Sequence, residues 1–491
     1  MTNCSPVVIG VDVGTQGVRV MAVNGKGELL SPYARSFALL GSREEQAPEV
    51  WWNDMLACLS ALVAQLKRMA GSELSIAAIA VTSTSGTMLP LDRDHMPLGP
   101  ALMYSDPRSF AEATACKEAA QRYAGSGYTV FNASCGLPKI LWFMNRFPHL
   151  AERIKLWAHA ADYITGKLSG QWGVTDYTNG LKTGYDLVQD RWPSYISAEL
   201  GVPADWLPGV VPPGTVIGSI LPEVADRTGL PRDVKVVAGM TDGCASQLAS
   251  GAVRPGDWST TIGTTLVVKG VTCEPIADPL GRLYNHKHPE GYWMPGGASN
   301  TGADWVTRDY AGTDLHALNH AAQQLIPTPW IRYPLLQKSE RFPFVAEEAR
   351  GFEPAGLSPE QRFASGMEGV AYIERLSYEL IEQLTGQPPA TLYTAGGGSN
   401  SNVWLSIRSS VMRRPIHKMK HIEGAVGAAV LAASNTLFSG LGEAGRAMVV
   451  PDQVIEPLEA SVCDRYEENY QLFKQRITEL GYWQESERGR A

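Results

Sequence analysis

Two glycine-threonine stretches in this 491-residue chain combine residue types that bind phosphate. Residues 12–17 read Asp-Val-Gly-Thr-Gln-Gly, and residues 260–265 read Thr-Thr-Ile-Gly-Thr-Thr. Glycine lets the backbone turn tightly and present several N–H groups to one anion, while threonine hydroxyls add donors. The first stretch could also be an ordinary hairpin turn, and the second a pair of Thr-rich strands. The candidate phosphate-binding residues are Gly14, Thr15, Gln16, Gly17, Gly263, Thr264 and Thr265.

Two aspartates stand where strand-like runs end. Asp12 closes the first run, and Asp242 follows the run at residues 234–238 and opens a helix-like segment. Asp12 could hold magnesium through water, because magnesium binds few carboxylates and keeps much of its hydration shell. Asp242 could accept the proton of a sugar hydroxyl that attacks phosphorus, and it is a second candidate for a water-mediated metal contact. The competing role of Asp242 is a helix N-cap.

A third glycine-rich element, Gly396, Gly397 and Gly398 with Asn400, lies between a short strand and a helix-like segment. Its missing side chains could admit a flat adenine ring, although flexible loops use glycine as well. No single one of these elements is decisive. Their order and spacing along one chain are much more specific than any member alone.

The elements that must position these residues alternate between strand-like and helix-like patterns, which predicts an α/β protein. The predicted strands cover residues 7–23 as two runs, 74–81, 234–238 and 256–268 as two runs. The predicted helices cover residues 48–68, 138–147, 403–411, 423–433 and 465–485. Because a strand, a Gly-Thr turn and a second strand occur twice, we expect two halves with the same architectural beginning. The boundary should fall shortly after the strand at 234–238.

The amino-acid composition and the net charge limit the classes of protein to which the chain can belong. With 44% hydrophobic and 19% charged residues, the chain can bury large cores, and its length calls for two or more domains. The net charge is −8 and no basic block stands out, so nucleic acid is not an expected partner. The seven scattered cysteines are expected to be reduced. With neither a leader peptide nor a membrane-length apolar run, the chain is expected to be cytoplasmic, without a membrane partner.

Four elements together resemble the FGGY carbohydrate kinases: the two glycine-threonine stretches, the segment around Asp242 and the glycine run at 396–398. These kinases share the actin, hexokinase and Hsp70 ATPase fold. The resemblance covers residues 7–433 and rests on the segments DVGTQGVR at 12–19, GMTDGCAS at 239–246, TIGTT at 261–265, AGGGSNSNVW at 395–404 and EGAVGAA at 423–429. It implies two ribonuclease-H-like domains, a sugar-binding one at 1–246 and a nucleotide-binding one at 247–491, that close on ATP and sugar. The implied cofactors are ATP and Mg²⁺. The resemblance also implies that Asp242 is the general base and that Asp12 is the carboxylate next to the metal.

The resemblance also bears on the sugar. Glycerol kinases carry an Arg-Glu pair after the first domain's third strand, and xylulose kinases carry Met-His-Gly, whereas residues 82–87 here read Thr-Ser-Thr-Ser-Gly-Thr. Together with residues 181–186 and 296–302, this looks like a subgroup of D-ribulose or xylulose kinases. A ketopentose is therefore expected, D-ribulose first, with D-xylulose or another ketose or polyol as the alternative. The expected sugar-binding residues are Ser85, Gly86, Asp106, Arg108 and Asp242.

Three alternatives stay open from the sequence alone. Asp106 and Arg108 match the family's Asp-x-Arg pattern and could reach sugar hydroxyls, or they could form a solvated pair at the edge of a turn. The competing function class is an actin- or Hsp70-like ATPase without a sugar substrate, which the polar segment around Ser85 disfavours. The oligomeric state is open, with a homodimer as one candidate.

Overall fold

The computed structural model describes residues 6–37, 43–70, 75–123 and 130–484. The chain forms two compact units that are not continuous in sequence. Unit 1 comprises Met1–Ala249, His286–Gly291 and His421–Val450, and unit 2 comprises Ser250–Asn285, Tyr292–Lys420 and Pro451–Ala491. The domain boundary at residues 246/247 stays a prediction. The division into compact units falls close to it, after Ala249, but returns residues 421–450 to unit 1.

Nineteen strands are present in the described residues. In chain order they are β1 (Val7–Val13), β2 (Gly17–Asn24), β3 (Leu29–Ser36), β4 (Glu45–Gln46), β5 (Ile76–Ser83), β6 (Met88–Leu91), β7 (Ala101–Leu102), β8 (Leu156–His159), β9 (Val174–Asp176), β10 (Gly209–Val211), β11 (Val216–Ser219), β12 (Lys235–Thr241), β13 (Asp257–Ile262), β14 (Leu266–Gly270), β15 (Tyr284–Lys287), β16 (Trp293–Ser299), β17 (Thr391–Ala395), β18 (Ile416–Met419) and β19 (Pro451–Ile455).

Sixteen α-helices accompany the strands in the same part of the chain. They are α1 (Pro48–Ala70), α2 (Phe110–Arg122), α3 (Gly136–Arg146), α4 (Pro148–Ala151), α5 (Ala160–Ser169), α6 (Tyr177–Lys182), α7 (Tyr195–Ala198), α8 (Pro222–Thr228), α9 (Asp242–Ala249), α10 (Asp304–Asp309), α11 (Leu315–Leu325), α12 (Pro359–Thr385), α13 (Asn402–Met412), α14 (Gly424–Ala433), α15 (Leu441–Met448) and α16 (Ala460–Glu479). Over the described residues, the strands and helices predicted from sequence are therefore confirmed, with ends that move by a few residues. Leu74 of the predicted strand at 74–81 and Glu485 of the predicted helix at 465–485 lie outside the described residues.

The main sheet of unit 1 has the strand order β11-β12-β5-β1-β2-β3. β1, β2 and β3 pair antiparallel, and β5 and β12 continue the sheet parallel to β1. All seven residues of β1 are buried, which suits an apolar run in the centre of a sheet covered on both faces. The carboxyl ends of β1, β5 and β12 consequently share one edge of this sheet, where Asp12, Ser85 and Asp242 are found.

The main sheet of unit 2 repeats this topology with the order β15-β16-β14-β13-β17-β18-β19. β13 pairs antiparallel with β14 and β14 with β16, while β17 and β18 extend the sheet parallel to β13. Each unit therefore begins with an antiparallel hairpin whose first strand pairs, on its other side, with a parallel strand. This recurrence confirms the predicted pair of ribonuclease-H-like domains.

Helix α14 packs deep inside unit 1, and glycine makes that approach feasible. Every residue of α14 is buried, and its sequence GAVGAAVLAA is composed of small and aliphatic side chains. A Cβ on Gly10 of β1 would stand 1.7 Å from the Ala425 carbonyl oxygen, and one on Gly427 would stand 1.9 Å from that of Ala245 in α9. Both contacts are with backbone atoms, so rotation of a side chain cannot relieve them.

Across residues 6–37, 43–70, 75–123 and 130–484, no helix has both the length and the apolar character that a bilayer span requires.

Gly427→Ala is expected to destabilise the protein by about 1–3 kcal/mol, because the added methyl group forces α14 away from α9. The free energy of unfolding from urea titration measures the effect. Gly99→Ala is the matched control, since a Cβ at Gly99 meets no atom within 4 Å and its φ is not positive. The control should change the stability by less than about 0.5 kcal/mol. Equal stability of the two variants would contradict the close packing described for α14.

Candidate functional site

The first glycine-threonine turn joins β1 to β2 and is braced by its neighbours. The Gly14 N–H donates to the Gly17 carbonyl (2.9 Å), so this amide closes the turn itself. Gln46 donates from Nε2 to the Thr15 carbonyl (2.7 Å) and accepts from the Trp51 indole N–H (2.7 Å). Gly17 is required by packing, because a Cβ there would stand 2.3 Å from the Arg35 carbonyl oxygen of β3.

A cavity of about 350 Å³ opens beside this turn within unit 1. Two arginines and several hydroxyl groups surround it, a combination that suits an anion such as a phosphate group. Its lining residues are Gly14, Thr15, Gln16, Gly17, Arg19, Arg43, Tyr104 and Ser105. The structure therefore places the predicted residues Gly14, Thr15 and Gln16 on one wall of a cationic cavity.

Asp12 is a buried carboxylate whose charge is only partly compensated. Its Oδ2 lies 3.5 Å from Nη1 of Arg19, whose side chain is 57% exposed. Its Oδ1 is buried and finds no hydrogen-bond partner among the described residues. Burial, followed by the nearby negative charge of Asp242, raises the pKa of Asp12 to about 6, while Arg19 opposes this shift. A cation bound at Oδ1 would stabilise the ionised form.

The amino-terminal end of α14 lies beside the same carboxylate. A Cβ on Gly424, the first residue of the helix, would stand 3.3 Å from Oδ2 of Asp12. The partial positive charge of a helix amino terminus favours an anion at this position. Glycine at 424 leaves room for the carboxylate, which gives the EGAVGAA segment a role in unit 1.

Asp242 is held at the junction of β12 and α9. It is partly exposed, and its Oδ1 accepts from the Gly243 N–H (2.6 Å), a contact typical of the first turn of a helix. The preceding Thr241 N–H donates to Oγ1 of Thr178 (2.8 Å), which in turn donates to the buried Asp176 (2.6 Å). Both interpretations of Asp242 therefore remain compatible with its position: it terminates a strand and begins a helix while staying accessible.

The segment after β5 forms a polar wall with one unused hydroxyl group. Oγ1 of Thr84 and Oγ1 of Thr87 hydrogen-bond each other (2.7 Å), whereas the buried Oγ of Ser85 has no partner among the described residues. Gly86 has a φ of +79°, and a Cβ there would stand 2.1 Å from the Ser134 carbonyl oxygen. The turn thus depends on glycine at 86, and it leaves the Ser85 hydroxyl group without a protein partner among the described residues.

Asp106 and Arg108 form an internal ion pair. Asp106 is only 2% exposed, and Arg108 donates from Nε to Oδ1 (2.9 Å) and from Nη2 to Oδ2 (2.7 Å). Arg108 also donates to Glu45 (2.6 Å) and stacks over the Trp142 ring at 4.3 Å. These carboxylates raise the pKa of Arg108 above its usual range. Asp106 is buried, whereas the Arg108 side chain is 32% exposed, so a partly solvated pair at the edge of a turn stays compatible with this geometry. Nε and Nη2 of Arg108 already donate to protein carboxylates.

The second glycine-threonine turn joins β13 to β14 in unit 2. The Gly263 N–H donates to the Thr265 carbonyl (3.0 Å), and no atom lies within 4 Å of a Cβ built on Gly263. Thr264 is exposed at the tip and Thr265 is half-buried. The turn therefore presents an open backbone and a free-standing hydroxyl group, as a phosphate-binding turn must.

The glycine run serves two different purposes. Gly396 has a φ of +84° and a Cβ there would stand 2.5 Å from the Ile262 carbonyl oxygen, and a Cβ on Gly398 would stand 2.9 Å from the Ile262 side chain. By contrast, nothing lies within 4 Å of a Cβ on Gly397. Only Gly397 leaves open space for a ligand, whereas Gly396 and Gly398 let the segment pack on β13.

A cavity of about 600 Å³ lies against this segment, within unit 2. Gly397, Gly398 and Asn400 form one side of it. The opposite side is a polar face of α11, whose side chains follow the i, i+3, i+4, i+7 spacing: His316, Asn319, His320 and Gln323. The volume falls in the range of cavities that bind nucleosides and drug-sized molecules.

Sequence patterns did not identify several of these groups. Gln46 braces the first turn from a distant segment, and no short motif marks it. The polar residues of the α11 face recur at helical spacing in the sequence, but the same spacing is typical of any solvated helix surface. No cluster of three or more His, Cys, Asp or Glu side chains that could enclose a metal occurs in the described ranges.

Comparisons with known proteins agree with this arrangement. The N-terminal domain of the FGGY family of carbohydrate kinases matches residues 7–249, and its C-terminal domain matches residues 258–436. A xylulose kinase of Bacillus subtilis (strain 168) is 25% identical over 95% of this chain and 96% of its own length. A gluconokinase of Bacillus licheniformis is 24% identical over 86% of each chain.

A solved structure gives the same result at the level of the fold. The xylulose kinase from Rhodospirillum rubrum superposes with a TM-score of 0.82 and 25% identity, covering 97% of this chain and 99% of that one. Because the two family domains together span most of the sequence, the conclusion does not rest on one motif. The chain belongs to the FGGY family of carbohydrate kinases and is a sugar phosphotransferase with their two-domain, actin- and hexokinase-like ATPase fold.

Proposed function

We propose that this chain transfers the terminal phosphoryl group of ATP to a ketopentose, with D-ribulose as the first candidate and D-ribulose 5-phosphate as the product. The observation that carries the proposal is the edge of the unit 1 sheet, where the accessible carboxylate of Asp242 accompanies the buried Asp12 and the unused hydroxyl group of Ser85. A general base and hydrogen-bonding groups for a polyol are the chemistry that such a transfer needs.

The polar groups of unit 1 favour a neutral sugar over a sugar acid. The Ser85, Thr84 and Thr87 hydroxyl groups are uncharged, and the guanidinium of Arg108 is already shared between Asp106 and Glu45. A hydroxyl group donates and accepts hydrogen bonds, and so matches a sugar hydroxyl group well. The gluconokinase relative acts on an acidic sugar by name, and binding such a substrate here would call for a cation beyond this pair.

D-Xylulose is the second candidate. Its support comes from relatives named xylulose kinase, which include the proteins of Bacillus subtilis and Staphylococcus epidermidis. Against it stands the segment at residues 82–87, which has Ser85 where typical xylulose kinases have histidine. Serine is shorter and always uncharged, so the two residues would form different hydrogen bonds with the sugar.

In the proposed reaction, Asp242 accepts the proton of the attacking sugar hydroxyl group. We propose that this group is the primary hydroxyl at C5. The oxygen then forms its bond to the terminal phosphorus while the bond to the bridging oxygen of ADP breaks. The N–H groups of the two turns that do not close the turn itself, at residues 15–16 and 264–265, would donate hydrogen bonds to the phosphate oxygens. The adenosine end of the nucleotide would occupy the open space beside Gly397, in the cavity that Gly398 and Asn400 also line.

Magnesium fits the donors that are present. The buried Oδ1 of Asp12 has no protein partner among the described residues, and the neighbouring Asp242 adds negative charge. We infer that Asp12 holds Mg²⁺ and that Asp242 contacts it through water, since magnesium binds few carboxylates and retains water ligands. The bound ion would neutralise charge on the phosphate oxygens of ATP.

A coupled assay of ADP release tests the substrate. D-Ribulose, L-ribulose, D-xylulose, L-xylulose, ribitol, glycerol and gluconate should be compared at equal concentration. The highest kcat/KM is expected for D-ribulose, with D-xylulose next, because a neutral five-carbon ketose matches the neutral polar wall at Ser85. Preference for glycerol or gluconate would overturn the assignment to ketopentoses.

Asp242→Asn is expected to lower kcat by about 10²- to 10⁴-fold, the usual contribution of a general base, while ATP binding measured by calorimetry stays within about twofold. The amide keeps the shape of the side chain but cannot accept the proton. Asp233→Asn, an exposed aspartate just before β12, is the matched control and should keep full activity. A fully active Asp242→Asn protein would refute the role of Asp242 as base.

Asp12→Asn is expected to raise the free energy of unfolding of the ligand-free protein at pH 7.5 by up to about 3 kcal/mol. The pKa of Asp12 is about 6 in the folded protein and 3.8 ordinarily. Between these values the folded state keeps a proton that the unfolded state has lost, so stability falls as pH rises. The gain from asparagine should be absent near pH 3.5, grow from about pH 4 to 6 and then stay constant.

Chemical denaturation at pH 3.5, 5, 6 and 7.5 measures this dependence. Asp94→Asn, with a 76% exposed side chain, serves as the control and should show no such window. A stability difference between Asp12→Asn and the wild type that is the same at pH 3.5 and pH 7.5 would contradict the electrostatic account of Asp12.

A further inference from the structure

The second glycine-threonine turn is supported by the segment that follows β16. The Leu266 N–H donates to the Thr301 carbonyl (3.1 Å), and the Ala303 N–H donates to the Gly263 carbonyl (2.7 Å). A Cβ on Gly302 would stand 2.4 Å from the Thr264 carbonyl oxygen, so the two backbones touch there. The shape of the turn at residues 263–265 therefore depends on where residues 299–303 lie.

Residues 299–301 are in turn organised by one carboxylate, that of Glu340. Its Oε2 accepts from the hydroxyl groups of Ser299 (2.8 Å), Thr301 (3.0 Å) and Tyr333 (2.8 Å). Its Oε1 accepts from the N–H groups of Asn300 (2.7 Å) and Arg341 (2.9 Å). The side chain is 2% exposed. Both oxygens are thus saturated, since a carboxylate offers about four acceptor sites.

All five of these donors are neutral, although burying a carboxylate costs free energy that a cation would offset more directly. Charge-assisted hydrogen bonds are about twice as strong as neutral ones, so a carboxylate fixes such donors more firmly than an amide or hydroxyl group could. The arrangement orders a short loop at some cost in stability. The element that this loop contacts is the open turn at residues 263–265.

We propose that Glu340 is a positioning residue that fixes the Gly263–Thr265 turn, through residues 299–303, in the shape that receives the phosphate groups of ATP. This inference rests on the proposed nucleotide site in unit 2. Glu340 itself touches no ligand in this account and acts only through the backbone it holds.

Glu340→Gln is the sharpest variant, because it keeps the shape and removes the charge. With its NH₂ group in place of Oε2, glutamine would offer two hydrogens to three hydroxyl groups that now donate. With its NH₂ group in place of Oε1, it would face two backbone N–H groups that can only donate. Neither orientation restores the network, so the loop and the turn lose their fixed geometry.

The test compares adenosine with a non-hydrolysable ATP analogue by calorimetry, on the full chain. Glu340→Gln is expected to weaken binding of the analogue about tenfold, to leave adenosine binding within about twofold, and to lower kcat about 100-fold, as small misplacements of binding groups do. Tyr333→Phe removes one donor of five and should weaken the analogue only about two- to threefold. Glu348→Gln, whose side chain is 78% exposed, is the control of equal charge change and should match the wild type.

The possible outcomes distinguish failure of the positioning role of Glu340 from failure of the proposed nucleotide site. If the wild type binds the analogue and Glu340→Gln binds it equally well, with unchanged kcat, the positioning role is wrong and the proposed function stands. Equal losses for adenosine and the analogue would also overturn it, because that pattern indicates a general structural defect. A wild type that binds neither ligand would overturn the proposed nucleotide site and this inference with it. If Glu340→Gln does not fold, Tyr333→Phe decides by the same comparison.

Discussion

Burial of the Asp12 carboxylate, next to the negative charge of Asp242, is the constraint on which the unit 1 site depends. One carboxylate is buried at the end of β1 and the other begins α9, and the second contributes to the raised pKa of the first. The nearby helix amino terminus and the exposed Arg19 compensate part of this charge. The remainder is negative charge, which a divalent cation would balance. A site that is unfavourable when empty and favourable when occupied is common among enzymes.

Close backbone approaches bring these groups together. Gly10 and Gly427 let α14 pack between β1 and α9, which puts Gly424 beside the Asp12 carboxylate. In unit 2, Gly302 and Gly396 let two loops touch the β13–β14 hairpin in the same manner. In both units the residues that we propose to bind ligands lie on turns at the carboxyl ends of strands, and hydrogen bonds set the shape of those turns. Glycine therefore contributes here more through packing than through flexibility.

Much of the fold could be predicted from sequence, because it depends on local patterns. The β1–β2 and β13–β14 hairpins and helices α1, α13 and α14 follow from periodicity and turn residues. The membership of residues 421–450 in unit 1 could not, since it depends on contacts with β1, more than 400 positions away. For the site, the candidate list contained Gly396 and Gly398 beside Gly397 without any means to separate packing from ligand space. Glu340 and Gln46 lie far in sequence from the turns they support, so no short motif could reveal them.

A sugar kinase transfers the terminal phosphoryl group of ATP to a sugar, whereas an ATPase transfers it to water. Phosphorus NMR of a reaction containing ATP, Mg²⁺ and D-ribulose or D-xylulose measures this directly, because the phosphomonoester, inorganic phosphate and ADP give separate signals. We expect a ketopentose phosphate to form in the same amount as ADP, with only a minor signal from inorganic phosphate. ADP accompanied by an equal amount of inorganic phosphate, with no sugar ester, would contradict it and would favour an ATPase.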